Sequence, residues 1–349
     1  MRQILIPLLV LTVASLTVLS SVSRHLFLLQ CVWFALGWSI VLLFRFFDWR
    51  GIVRHEWCIW GLYGGAVLLL FLGFFVSPVI RNTRSWLVLG PFNVQPVELA
   101  KVGLILAYAA YFSRRHFGIA RWNYIFTSFV LFALPAAFVA LQPDLGSMLI
   151  LFGVWFGVLL FSGLPPRRVL AAFLAFAVVG ILGWHFGLKD YQRARIRGVF
   201  YPEEHALTVN YSVTQSKIAI GSAGFFGKGY GQGTQTQLGF LTEPANDFVL
   251  AALIEEWGIV GGFLALIAFL SLLFGIFRVG MDARHNFEKL VALGTSILFL
   301  THFIVNAGSA VGFFPVVGVT FPFLSYGGSS ILTDSFLLAI INAIGVRNS

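Results

Sequence analysis

Apolar runs of about 17 to 25 residues, the length that carries an α-helix across a bilayer, recur along nearly the whole chain. That recurrence leaves few folds open. In hydrocarbon every backbone N–H and C=O must find a partner within the protein, so such runs form spanning helices packed as a bundle. Composition agrees: 58% of residues are hydrophobic and 11% charged, against roughly 25% charged in a soluble domain. The spacing predicts ten helices, over residues 4–22, 26–46, 58–77, 97–112, 124–141, 147–162, 169–187, 248–277, 289–311 and 329–346. The expected fold is an all-α polytopic bundle, one transmembrane domain over 1–349, with a large loop at 188–247 between the seventh and eighth helices. The first run, Ile4–Ser20, has no clear small-x-small cleavage site and is followed at once by another span, so it reads as a helix rather than a leader. Cys31 and Cys58 fall in neighbouring spans and are expected to be free thiols.

The formal net charge of +9 raises nucleic acid as a partner, but the placement of the charge argues against it. Most basic residues stand in short clusters between apolar runs, as the positive-inside rule requires. With the N-terminus cytoplasmic, the inner loops hold Arg45, Arg50 and Arg54, then Arg114, Arg115 and Arg121, then Arg167 and Arg168, then Arg278, Arg284 and Lys289. Residues 78–96, 142–146, 188–247 and 312–328 then lie outside, and they are the segments richest in Pro, Gly, Gln and Asn. No internal repeat is visible.

Two of these outer segments share a pattern. Gln95-Pro96-Val97-Glu98 and Gln142-Pro143-Asp144-Leu145 each place Pro at a first helical position and an acid in the first turn, where the helix dipole favours negative charge. Capping alone would account for Asp144. Glu98 and Lys101 ask for more: three apart on a helix they share a face, and a charged pair carried into a span faces the bundle interior or a wet cavity. Upstream, Arg81, Arg84 and Trp86 offer guanidiniums suited to pyrophosphate and an indole suited to a sugar face or to the membrane interface.

The loop 188–247 carries Arg193, Arg195 and Arg197, for which anionic lipid head groups are a competing partner. Tyr211–Ile220 is predicted as an amphipathic helix bearing Gln215, Ser216 and Lys217, lying along the membrane surface. The Gly-rich stretch 221–239 that follows is either a flexible connector or a backbone surface for a ligand. The loop closes on Asp247, at the expected start of the eighth helix. Glu255 and Glu256 lie about two turns deeper on other faces; with Asp334 they are read as structural acids, with His302 and Asn306 as candidate partners. No HExxH, cysteine cluster, DxD or Gly-x-Ser-x-Gly pattern is present in the sequence.

Five blocks in order resemble the SEDS family, the RodA, FtsW and SpoVE proteins of bacterial cell-wall synthesis. They are RSWLVLGPFNVQPVELAK (84–101), QPDLGS (142–147), QSKIAIGSAGFFGKG (215–229), GTQTQLGFLTEPANDF (233–248) and PVVGVTFPFLSYGGSS (315–330). The Gln-Pro-Asp-Leu-Gly form of the second block is closer to RodA. The resemblance implies a peptidoglycan glycosyltransferase of the bacterial cytoplasmic membrane. Such an enzyme polymerises lipid II on the extracytoplasmic side, beside a class B penicillin-binding transpeptidase, in elongation and rod-shape maintenance. It places the essential aspartate on Asp247, the acid and lysine of the central cavity on Glu98 and Lys101, the outer-loop tryptophan on Trp86 and the second-block aspartate on Asp144. The sequence departs from the family pattern at Val97, Thr242, Val317 and Thr320, and Ala245-Asn246 stand where many members have His-Thr.

A sugar hydroxyl attacking an α-linked glycosyl pyrophosphate gives a β-1,4 bond by one inverting displacement. A single carboxylate base suffices because the leaving group needs only positive charge. Asp247 is the expected base, catalytic in that sense. Lys101, Arg84 or Lys217, or a divalent cation such as magnesium or manganese, would offset the departing charge, with Glu98 orienting Lys101. Gln215 joins the substrate-binding set. Two rival functions use the same residues: a lipid II flippase, and a scaffold that activates a transpeptidase without catalysis.

Overall fold

The computed structural model describes residues 2–46, 55–79, 83–89, 92–114, 122–161, 165–203, 208 and 210–348. Arg50, Arg54, Arg81, Arg115 and Arg121 lie outside the described residues. The chain begins with α1 (Arg2–Val22), α2 (Arg24–Leu43), α3 (Glu56–Val76), α4 (Pro96–Ser113), α5 (Trp122–Leu141), α6 (Leu145–Phe161) and α7 (Pro166–Leu182). The large loop contributes α8 (Asp190–Phe200), α9 (Tyr211–Ser222) and the short α10 (Thr234–Gln237), and α11 (Val249–Asp282), α12 (Asn286–Val311) and α13 (Gly328–Asn348) complete the bundle. Seven helices before the loop and three after it follow the predicted spans. Among the described residues eight are long and apolar enough to cross a membrane unaided. The other two are α6, apolar but only 17 residues long, and α4, whose Glu98 and Lys101 lower its hydropathy. Both cysteines are free.

The all-α expectation holds, with one small addition. Leu87–Leu89 and Phe92–Val94 pair as a short antiparallel hairpin, β1 and β2, with Leu87 opposite Val94 and Leu89 opposite Phe92.

The core is organised around α4, which packs against α3, α5, α6, α12 and α13. From Pro96 to Phe112 every residue of α4 except Leu99 is buried. The polar segments gather at one end of the bundle. Arg84 N donates to Gln142 O (3.4 Å), Gln192 Nε2 to Pro143 O (3.4 Å), Arg195 Nη1 to Val316 O (2.8 Å) and Ser329 Oγ to Asn93 O (3.0 Å).

Arg193, Arg195 and Arg197, for which lipid head groups are the competing partner, lie on helix α8 and have protein partners. Arg193 donates to His185 O, Arg195 to Val316 O, and Arg197 stacks over Trp184. Nor is α9 simply a surface helix. Ser216 and Ala219 are buried, Ser216 Oγ donates to Ala310 O (2.7 Å), and the helix packs on α11 and α12.

The Gly-rich stretch is built into the fold, because α11 is broken. At about 1.5 Å per residue its 34 residues exceed the roughly 30 Å of bilayer hydrocarbon. The break falls at Gly258, whose φ of 72° and ψ of −175° interrupt the helical hydrogen bonds. The carbonyls of Glu255 and Glu256 lose their acceptor role within the helix, and the N–H groups of Ile259 and Val260 lose their helical acceptors. The loop supplies all four. Lys228 N and Gly229 N donate to Glu255 O (2.9 Å) and Glu256 O (3.0 Å), and Ile259 N and Val260 N donate to Gly224 O (3.1 Å) and Phe225 O (3.2 Å). The two backbones approach so closely that a Cβ at Gly227 or Gly258 would collide with the opposite chain.

The same contact corrects the expected partners of the deep acids. Glu255 accepts from Gln235 N (2.8 Å), Thr236 N (3.0 Å), Thr236 Oγ1 (2.8 Å) and Lys228 Nζ (2.9 Å), while Glu256 accepts from Ser21 and from Gln237 Nε2 (3.2 Å). His302 and Asn306 pair with neither acid. The structural reading of Glu255 and Glu256 stands on loop contacts, which clamp the loop to α11 and to the end of α1.

Candidate active site

Glu98 and Lys101 stand on the first two turns of α4. Lys101 Nζ lies 2.7 Å from Glu98 Oε2, and the residues are 2% and 6% exposed respectively. Charges taken this far from water need further partners. Thr333 Oγ1 donates to Glu98 Oε2 (3.1 Å), Lys101 Nζ lies 3.1 Å from His302 Nε2, and Asp334 of α13 is buried within electrostatic reach of the pair. An ammonium only donates, so Nε2 of His302 accepts. Its Nδ1–H is then the donor to Thr320 O at 3.0 Å.

One turn further along α12, Asn306 Nδ2 donates to both Asp247 O (3.2 Å) and Val319 O (2.7 Å). Positions four apart on a helix are about 6 Å apart along its axis. The ion pair and the Asp247 turn are thus braced by adjacent positions of one helix. His302 and Asn306 are the site residues whose role the sequence reading missed. Their spacing placed them on one face, but their partners come from segments remote in the chain.

Asp247 is half-buried, in a turn just before α11, whose first residue is Val249. Asn246 N and Phe248 N donate to Glu243 O (3.1 and 3.3 Å), and Asn246 Nδ2 donates to Glu243 Oε2 (2.8 Å). Glu243 has φ 51°, and Phe323, in the turn that grips this one, has φ 60°. Left-handed backbone costs a non-glycine residue about 1–2 kcal/mol. Packing from both sides maintains it: Ser325 Oγ donates to Asn246 O (2.7 Å) and Tyr326 N to Ala245 O (2.8 Å). Strain held in this way clusters at functional sites. Of the two departures from the family pattern just before Asp247, Asn246 serves the turn through its side-chain amide, while Ala245 contributes only a backbone oxygen that any residue would supply.

Asp144 both caps and reaches the site. Ser147 N and Oγ donate to its two oxygens (3.0 and 2.8 Å), capping α6, and Gln95 Nε2 donates to Oδ2 (3.1 Å). Burial pushes its carboxyl above the usual carboxylate range, against the pull of Ser147 and of Lys101. Arg84 is exposed and Trp86 half-buried on the segment laid over this corner. Lys217 is exposed on α9, with Gln215 half-buried beside it. Lys217 lies in a cleft with Arg195, Gly312 and Val316, apart from the contacts that join Lys101 to α12. For the divalent cation, no three His, Cys, Asp or Glu side chains among the described residues converge as a ligand set.

The family model described as cell cycle protein, covering FtsW, RodA and SpoVE, matches residues 1–349. The peptidoglycan glycosyltransferase MrdB of Escherichia coli K12 is 37% identical over 262 residues, 73% of this chain and 68% of the relative. MrdB of Helicobacter pylori J99 is 36% identical over 343 residues, 97% of this chain and 87% of the relative. Among solved structures, a chain from a peptidoglycan synthase complex superposes with a TM-score of 0.84 at 30% identity, covering 99% of this chain and 97% of that one. The rod shape determining protein RodA of Thermus thermophilus gives 0.74 at 28% identity, covering 100% and 97%. With a match from the first residue to the last and the bundle shared, this chain belongs to the FtsW/RodA/SpoVE family of cell cycle proteins.

Proposed function

We propose that this protein is a peptidoglycan glycosyltransferase that polymerises lipid II into β-1,4-linked glycan strands, displacing undecaprenyl diphosphate with inversion. The observation that carries the reading is the Asp247 turn: a half-buried carboxylate four residues after the left-handed Glu243, in a turn braced by Asn306 and by the 321–326 turn. Asp247 accepts the proton of the acceptor hydroxyl, a contribution of about 10²–10⁴-fold for a positioned base. Lys101 is buried and bound by Glu98 and His302, so it fixes the floor of the site. Charge on the departing diphosphate falls to exposed cations at the same end of the bundle, Arg84 and Lys217. Trp86 lies against the sugar, and Gln215 and Asp144 complete the polar lining.

The chain acts as one domain over 1–349 in the bacterial cytoplasmic membrane. Its site is on the extracytoplasmic face, opposite the arginine-rich loops. Its partner is a class B penicillin-binding transpeptidase, and its work is elongation and maintenance of rod shape. Purified protein given labelled lipid II, alone and with the transpeptidase, should yield glycan strands, and Asp247→Asn should abolish them. Undiminished polymerisation by that variant would overturn the assignment. Translocation of lipid II in liposomes without polymerisation would favour the flippase.

A further inference from the structure

Away from the polar end, α5, α6 and α7 enclose a crevice of about 590 Å³. Its walls include Trp122, Phe126 and Phe129 of α5, Trp155 of α6, and Ala172 and Phe176 of α7. The volume lies within the roughly 300–1,000 Å³ of small-molecule sites. Water is a poor occupant, because each molecule needs two to four polar partners and these walls are mostly apolar. The crevice lies between spans, two of which, α5 and α7, are long and apolar enough to cross a membrane unaided, so the medium bordering it is lipid.

A charged helix end adjoins one wall of the crevice, Trp122. Helix α7 opens with Pro166-Arg167-Arg168, two cations where the helix dipole favours anions. The Arg168 guanidinium lies 5.6 Å from the centroid of Trp122, one of the crevice walls. Its Nη1 is buried without a hydrogen-bond partner, whereas buried donors ordinarily have an acceptor. Helix α7 is itself loosely held. Phe176 stacks on Phe152 at 3.5 Å between centroids and Phe173 meets Phe156 at 5.9 Å, while Leu170, Leu174 and Val178 are exposed.

We infer that this crevice binds one anionic phospholipid, with an acyl chain between α5 and α7 and a phosphate oxygen accepting from Arg168 Nη1. Arg167, exposed beside it, adds the second positive charge. The leaflet is the one facing the arginine-rich loops, where anionic head groups and basic pockets between helices meet. Residues 122–129 and 171–176 share no member with the Asp247 site, so the inference stands or falls independently of the glycosyltransferase reading.

Full-length protein from nanodiscs of equal palmitoyl-oleoyl phosphatidylglycerol and phosphatidylethanolamine, released and weighed by native mass spectrometry, should retain one phosphatidylglycerol. Arg168→Gln should lower that retention about fivefold, and Arg168→Lys should largely preserve it. Ala172→Phe should displace the lipid with the arginine intact. A second measurement needs no variant: phosphatidylglycerol with a photoreactive acyl chain should crosslink mainly to residues 122–129 and 171–176. Equal retention of the two lipids, unchanged retention in Arg168→Gln, or crosslinks spread evenly over the lipid-facing helices would each overturn the inference.

Discussion

Helices α4 and α7 are both predicted spans, yet they occupy opposite situations. Helix α4 carries two charges, falls short of a self-sufficient apolar span, and is buried along almost its whole length. Helix α7 carries its two charges, Arg167 and Arg168, only in its first turn; the rest is apolar, and among its described side chains Ala172 alone is buried. In water the order would be reversed. In a bilayer, lipid tails solvate an apolar helix about as well as protein does, so burying α7 gains little. Glu98 and Lys101 have no such alternative and must face one another and the interior. Between these two helices, the one with charges carried into the span is the one that is buried.

The contrast makes ordered predictions. Lys101→Met leaves Glu98 as an uncompensated buried charge and should destabilise the protein by about 3–5 kcal/mol, read as a lowered unfolding midpoint in detergent. Adding Glu98→Gln to that variant should restore much of the loss, since the cost lies in the orphaned charge. If the double variant is as unstable as the single one, the pair is not the organising feature of α4. Asn306→Ala, which frees Asp247 O and Val319 O, should cost about 1–3 kcal/mol. It should also lower polymerisation more than a lipid-facing substitution of equal stability cost does, because the Asp247 turn loses its brace. Leu174→Ala on α7 should change stability by no more than about 0.5 kcal/mol. A loss comparable to that of Lys101→Met would erase the distinction between the two helices.

How much of this was legible in the sequence follows from the range of each signal. Spans were legible because length and apolarity are local, and Glu98 and Lys101 because their spacing is local. The β1–β2 hairpin was passed over although Gly90-Pro91 is a turn signal, since three-residue strands carry too little pattern. The break at Gly258 was not legible: an isolated glycine in a helical pattern is ordinarily tolerated, and what fixes its backbone is a loop some thirty residues upstream. The partners of Glu255, Glu256 and His302 escaped for the same reason. Lys101 and His302 are separated by 201 positions, and no periodicity reaches that far. Asp247 was found by its place at the end of the polar loop and by family resemblance, whereas its brace by Asn306 emerges only from the packing.

The exchange of backbone hydrogen bonds at Gly258 also bears on how this protein can change over generations. Because Lys228 is bonded to Glu255 and Gly229 to Glu256, the chain between them is a closed ring whose ends are held in register. One residue gained or lost at the junction slips the register of all four bonds together, and the clamp on Glu255 with them. Drift in length therefore has to be absorbed away from the junction, and at the junction itself evolution is left to substitute rather than to insert.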